Sequence, residues 1–184
     1  MKQFAVQKAV RGIDLKRLRN KLNMTQADFA VLVNVSKKTI ERWESCDKEI
    51  IGPITTLLSL MENDTDLAVG LEIPEKAFPL RMIYMFRNQV CTVIDIDDRN
   101  RKIKIYNYRK DYIYRAFGKE EHPTYEQYED FLESRCFSRN LDKMKLMLKE
   151  LSIPFYDPML IVQRTEGRMA EDEFWLKIER GAYD

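Results

Sequence analysis

The side chains with chemistry to offer cluster near the N-terminus, in the stretch MTQADFAVLVNVSKKTIERWES from Met24 to Ser45. Lys37, Lys38 and Arg42 are cationic hydrogen-bond donors, and Ser36 and Thr39 between and beside them carry hydroxyls. Ile40 and Trp43 lie three apart and claim one face of a helix, so Lys37, Lys38, Glu41 and Arg42 point elsewhere and the exposed face is mostly basic. Such a face suits a polyanion. The charge distribution agrees: the chain carries +1 overall, but Met1 to Asn63 hold eleven Lys and Arg against seven Asp and Glu, and the remainder holds 20 against 23. A polyanionic partner therefore meets the N-terminal part.

The elements that must position these residues can be read on either side. Thr25 is a good N-cap for a short helix through QADFAVLV, in which Phe29, Ala30 and Val33 recur at helical spacing. Asn34 tolerates a left-handed backbone and makes a sharp corner, after which Ser36 caps the second helix. Upstream, IDLKRLRNKLN predicts a helix with Leu15, Leu18 and Leu22 facing inward. Downstream, GPITTLLSLMEN predicts another that opens with Pro53 in its first turn.

The pattern T-Q-x-x-F-A, a turn, then V-S-x-x-T-I-x-x-W-E resembles the helix-turn-helix of the Cro and lambda-repressor class, the XRE family. The resemblance puts Ala30 where two helices approach closely and Val35, Ile40 and Trp43 on core positions; Asn34 departs from the commoner glycine at the turn. It implies a four-helix DNA-binding domain whose second motif helix, Ser36 to Glu44, enters the major groove with its N-terminal residues at base edges. Lys37, Lys38 and Arg42 then match base-contacting positions, Arg42 with a bidentate donor pair for guanine. Thr39 would touch a thymine methyl or a phosphate, and Gln26 would hydrogen-bond phosphate. The family pattern makes Arg19 and Glu44 a structural ion pair with no DNA role. Lys37 and Glu41, one turn apart, have a rival reading as a mutually neutralised pair on a solvated face. One such helix spans a single half-site, so a two-fold dimer on a near-palindrome with centres about 34 Å apart is implied. Its interface is either the surplus apolar residues Ile50, Ile51, Ile54 and Leu58 or the second half of the chain. The continuation WE…GP…LL…ME is also similar to antitoxin-type regulators of the HigA kind.

Residues 1–70 thus read as an all-α unit of four to five helices, 71–79 as a Pro-broken linker through Pro74 and Pro79, and 80–184 as a second, α+β unit. Between Asp64 and the linker there is a short helical stretch. From Leu80 the residues are β-branched and aromatic with period-two alternation, the signature of antiparallel strands. A hairpin with Asp98 to Arg101 as its loop sets Asp97 opposite Lys102, Asp95 opposite Lys104, Ile96 opposite Ile103 and Ile94 opposite Ile105. Helices follow at HPTYEQYEDFLES, with a capping box at Thr124 and Gln127, and at NLDKMKLMLKEL, with Leu141, Met144, Leu148 and Leu151 on one face and Pro154 ending it. The tail offers an apolar strand-like run from Pro158, a turn at Gly167 and a hydrophobic close through Phe174, Trp175 and Ile178. RCFSRNLDKMKLMLKEL with GRMAEDEFWLKI resembles a segment ahead of the kinase core in HipA-related proteins, through Arg135, Arg139, Gly167, Asp172, Phe174 and Trp175. No catalytic kinase motif accompanies it, so the resemblance implies a recognition role.

Other chemistries find little support. DIDDRN lacks the glycine a calcium loop needs at its sixth position, and no metal site is expected. Tyr106, Tyr108, Tyr112 and Tyr114 read as half-buried sheet residues before they read as a base-stacking platform. His122 is the only histidine and has no nucleophile signature near it, and no glycine loop is available to cradle phosphate. Cys46, Cys91 and Cys136 fit neither a disulfide framework nor a zinc site. No catalytic residue and no cofactor is expected. No apolar run approaches the roughly 20 residues that span a bilayer, so a cytoplasmic protein is expected. The sequence predicts a DNA-binding regulator, probing the major groove as a dimeric repressor, with a C-terminal unit that binds a partner protein, a ligand or its own copy. The alternative is an antitoxin-like interaction module.

Overall fold

The computed structural model describes residues 2–140 and 142–179 and, of Leu67, the backbone only. The fold is α+β, and the chain divides into two compact units between Glu72 and Ile73. Among the described residues no helix is long and apolar enough to cross a membrane.

The first unit contains α1 (Gly12–Lys21), α2 (Gln26–Leu32), α3 (Lys37–Ser45), α4 (Pro53–Asn63) and the short α5 (Thr65–Val69). Leu15, Leu18, Leu22, Phe29, Ala30, Ile40, Leu58 and Met61 interlock as its core. Fully buried residues such as Leu15 and Ile40 each contribute about 1.5–3 kcal/mol. Pro53 opens α4 as expected, after Gly52 at φ 109°, a backbone that favours glycine. Two residues of strand on each side, β1 (Ala9–Val10) and β2 (Ile50–Ile51), pair antiparallel and tie the N-terminal segment to the entry of α4. This bridge corrects the set of surplus apolar residues. Successive strand residues face opposite sides, so Ile50 is buried beside Val10 and Ile51 is exposed; Leu58 is buried and Ile54 packs against the core. Of the four, only Ile51 offers an open apolar side chain.

The second unit is built on a four-stranded antiparallel sheet of β3 (Leu80–Phe86), β4 (Gln89–Asp97), β5 (Lys102–Asn107) and β6 (Phe174–Glu179), in the order β5-β4-β3-β6. The hairpin register is the expected one: Asp97 pairs with Lys102, Ile96 with Ile103, Asp95 with Lys104 and Ile94 with Ile105. Met82, Tyr84, Ile94, Ile96 and Leu176 then meet α6 (Tyr125–Ser134), α7 (Met144–Glu150) and α8 (Pro158–Thr165) in one core. On the other face Asp95 is fully buried and is claimed by Arg81 of β3 at 2.6 Å instead of by Lys104, which lies over the Tyr106 ring. Asp95 also accepts from the Ala77 amide at 2.7 Å, and Arg81 donates to the Pro74 carbonyl at 2.8 Å. The Pro-broken segment from Ile73 is therefore held on the second unit by a buried charge pair.

Two expectations for this unit are corrected. The run from Pro158 is a helix: Asp157 caps it through the Leu160 amide at 3.0 Å, Pro158 occupies its first turn, and Ile161 and Val162 are fully buried. So short an apolar run carries no period that separates helix from strand. Of the four tyrosines, only Tyr106 lies in β5. The ladder ends at the Thr92–Asn107 pair, beyond which the Tyr108 amide still donates to the Cys91 carbonyl at 2.9 Å, and Tyr112–Tyr114 form a 3-10 turn capped by Asp111. The capping box of Thr124 and Gln127 forms as expected. Helix α7 places Met144 and Leu148 inward and stops before Pro154, while Leu141 lies outside the described residues.

Arg135 explains how the chain closes after α8. Only 7% exposed, it donates to the Gly167 carbonyl at 2.8 and 3.0 Å, to Asp172 at 2.6 and 3.0 Å and to the Phe174 carbonyl at 3.1 Å. Gly167 is left-handed at φ 59°, and a Cβ there would crowd Leu176 and the Arg135 side chain. One guanidinium thus holds the turn that delivers β6 to the sheet edge.

Candidate nucleic-acid interface

The pair α2 and α3 is positioned by local chemistry at each junction. Thr25 caps α2 with a reciprocal bond set: its hydroxyl accepts from the Asp28 amide at 3.2 Å and its own amide donates to Asp28 Oδ2 at 3.1 Å. The Thr25 hydroxyl, which donates to Asp28 Oδ2 at 2.6 Å, and then the Thr25 amide hold the Asp28 carboxyl below its ordinary range. Asn34 takes φ 56° at the corner, and the Val35 amide donates to the Ala30 carbonyl at 2.9 Å to close the turn. Ser36 then caps α3 through the Thr39 amide at 3.1 Å. Ile40 is fully buried, while Val35 and Trp43 are partly buried against the same core.

Behind α3 a three-residue cluster sets its angle. Arg19 of α1 and Glu44 of α3 meet at 2.7 and 3.1 Å with side chains 11% and 5% exposed, and Arg19 also donates to the Met24 carbonyl. Gln26 joins them: its amide nitrogen donates to Glu44 Oε2 at 2.8 Å. Burial pushes the Glu44 carboxyl up, but the hydrogen bonds from Arg19 and Gln26 and the guanidinium charge outweigh it and leave the carboxyl below its ordinary range. The hydrogen bond with Glu44 likewise raises Arg19.

A residue with no sequence signal completes this support. Gly12, buried at the start of α1, lies so close to α3 that a Cβ would stand 2.0 Å from the Trp43 carbonyl oxygen. Nothing in the one-dimensional pattern separates it from a loop glycine.

The sequence-predicted contact residues end up in unequal states. Lys38 and Arg42, four apart and exposed on one side of α3, form no ion pair or side-chain hydrogen bond among the described residues. Lys37 is partnered by Glu41 at 3.4 Å, as the rival reading anticipated, with both side chains open to solvent. Ser36 and Thr39 share a hydroxyl–hydroxyl bond at 2.9 Å, so both serve the cap. Gln26 is half-buried and directed at Glu44. Lys38 and Arg42 thus stand as exposed donors on a helix held from behind.

Among the described residues no group of three or more His, Cys, Asp or Glu side chains is placed to share a metal ion. Asp97 accepts from the amide and side chain of Asn100 and closes the hairpin loop. His122 is exposed, and its backbone amide donates to Glu120.

No curated protein and no solved structure matches the chain. Residues 15–48 match the sequence model of the helix-turn-helix family, from Leu15 in α1 through α3 to Lys48. The N-terminal unit therefore carries a helix-turn-helix of the XRE type, the element by which regulators of that type bind DNA.

Proposed function

We propose that the protein is a sequence-specific regulator that reads double-stranded DNA with α3, acting as a two-fold dimeric repressor in the cytoplasm. The second unit has no catalytic role and binds a ligand, a partner protein or a second copy. The unpartnered pair Lys38 and Arg42 on α3 carries the reading: cations left free of carboxylates are available to base edges and phosphates. Lys37 joins them when phosphate displaces Glu41, Ser36 and Thr39 bring the helix start to the backbone, and Gln26 donates its second amide hydrogen to phosphate.

The test is salt-controlled binding of the full chain to its own upstream DNA with random duplex as competitor. Selective binding lost in the Lys38→Ala, Arg42→Ala double variant is expected. A folded double variant that retains selectivity sinks the assignment of this face.

A second reading, an antitoxin-like interaction module, is favoured by one observation. Leu146 and Phe155 of the second unit are open to solvent, and Phe155 borders a groove lined by Met144, Leu148, Ile153 and Tyr156. A stoichiometric complex with the product of the adjacent reading frame, abolished by Phe155→Ser, would favour it over the first.

A further inference from the structure

The second unit holds a cleft of about 430 Å³ bounded by the β4–β5 hairpin tip, α6 and the start of α8. Its volume is in the range of small-ligand sites. Four carboxylates, Asp98, Glu129, Glu133 and Asp157, one guanidinium, Arg139, and the tyrosines Tyr125 and Tyr128 contribute the polar part of its wall.

The charges of this wall do not cancel. Glu129 is taken by Arg101 at 2.9 Å and Glu133 by Arg139 at 2.7 Å. Both guanidinium groups also rest on rings, Arg101 over Tyr125 at 4.4 Å and Arg139 over Tyr156 at 4.7 Å. Each thus already has a carboxylate partner. Asp98 and Asp157, by contrast, have no cationic partner among the described residues. Asp98 accepts from the Tyr125 hydroxyl at 2.9 Å and Asp157 from the Leu160 amide at 3.0 Å, both neutral donors.

The second observation is independent of the carboxylates. Tyr128 is 2% exposed, lines the cleft, and its hydroxyl has no hydrogen-bond partner among the described residues. A buried hydroxyl without a partner is an exception in folded proteins and calls for an explanation. Burial, and after it the charge of Asp98, raises the phenol far above its ordinary value, so the hydroxyl keeps its proton. Its oxygen can accept from a donor that enters the cleft, beside carboxylates that favour a cationic one.

We propose that this cleft binds a small aliphatic amine, a diamine, a polyamine or a basic amino acid, whose ammonium donates to the Tyr128 oxygen and to Asp98 and Asp157. Tyr125 stands edge-on to Tyr128 with centroids 5.4 Å apart, and it is the side chain that turns to admit the amine and covers its carbon chain. The proposal rests on the reading that the second unit binds a ligand, and it is independent of DNA.

The test is calorimetric titration of the full chain with 1,5-diaminopentane and with spermidine, at constant ionic strength, against 1,5-pentanediol and magnesium chloride. Saturable one-to-one binding of an amine is expected, with none of the diol and no competition from magnesium. Tyr128→Phe keeps the ring and removes only the hydroxyl, and exposed Asp98→Asn keeps the fold; each should weaken binding at least tenfold, while Glu150→Gln on α7 leaves it unchanged. Absent saturable binding, equal binding by all three variants, or displacement by magnesium would overturn the proposal. Binding of an acetylated lysine amide without binding of either free amine would also overturn it, by assigning the cleft to a protein partner's side chain. Because no DNA is present, failure here leaves the DNA-binding reading intact.

Discussion

Removing Glu44 tests whether α3 is oriented by a buried charge pair. In Glu44→Ala the Arg19 guanidinium loses two bonds, at 2.7 and 3.1 Å, and keeps only the Met24 carbonyl at 2.7 Å. Stranding one member of a buried pair costs about 3–5 kcal/mol. Arg19 retains one acceptor and an 11% exposed side chain, so the lower end, about 3 kcal/mol, is expected. Glu44→Gln keeps the shape and should lose about 1.5–3 kcal/mol, the worth of a hydrogen bond to a charged group. Urea unfolding followed by Trp43 fluorescence in a Trp175→Phe background reports on this unit alone, since the chain has two tryptophans. The pH dependence adds a signature. A carboxyl depressed in the folded state stabilises it above the unfolded value, ordinarily about 4.5, and that contribution disappears as pH falls through the lower folded value. The acid loss should therefore begin below pH 4.5 and be smaller in Glu44→Ala. A cost under about 0.5 kcal/mol, that of an ordinary surface change, would refute the burial argument.

Further outcomes follow from individual contacts. Gly12→Ala gains about 1 kcal/mol of helix propensity yet places a methyl on the Trp43 carbonyl; a net loss of about 1–3 kcal/mol in the same unfolding assay is expected. Trp43→Ala should cost less than the about 3–5 kcal/mol of a fully buried tryptophan, because the ring is only partly covered, while Lys38→Ala and Arg42→Ala each stay within about 0.5 kcal/mol by the same measurement. Gln26→Ala should weaken binding to specific and random duplex alike in a competition titration, since its proposed contact is to phosphate. Arg135→Lys cannot serve Gly167, Asp172 and Phe174 together, and a loss of about 2–4 kcal/mol is expected in thermal unfolding of the second unit.

Where neighbours in sequence are neighbours in space, the amino-acid pattern by itself determined the outcome. Thr25, Asn34, Ser36 and Pro53 act on backbone within three or four residues, so the caps, the corner and the helix starts of the first unit were legible. The β4–β5 register was legible for the same reason, because a four-residue loop and period-two alternation admit one pairing that satisfies both faces. Only the tertiary structure decided matters that depend on distant chain segments. It sent Asp95 to Arg81 rather than Lys104, buried Ile50 through a bridge to Val10, and made Gly12 a contact point for α3. It turned the Pro158 run into a helix by covering one of its faces. It also sorted the cations of α3, neutralising Lys37 locally while leaving Lys38 and Arg42 free, and it stranded the Tyr128 hydroxyl in an acidic cleft. Periodicity reports which side of an element is apolar, but the partner that side meets is chosen by packing across the whole unit, where burial makes each unpaired polar group costly.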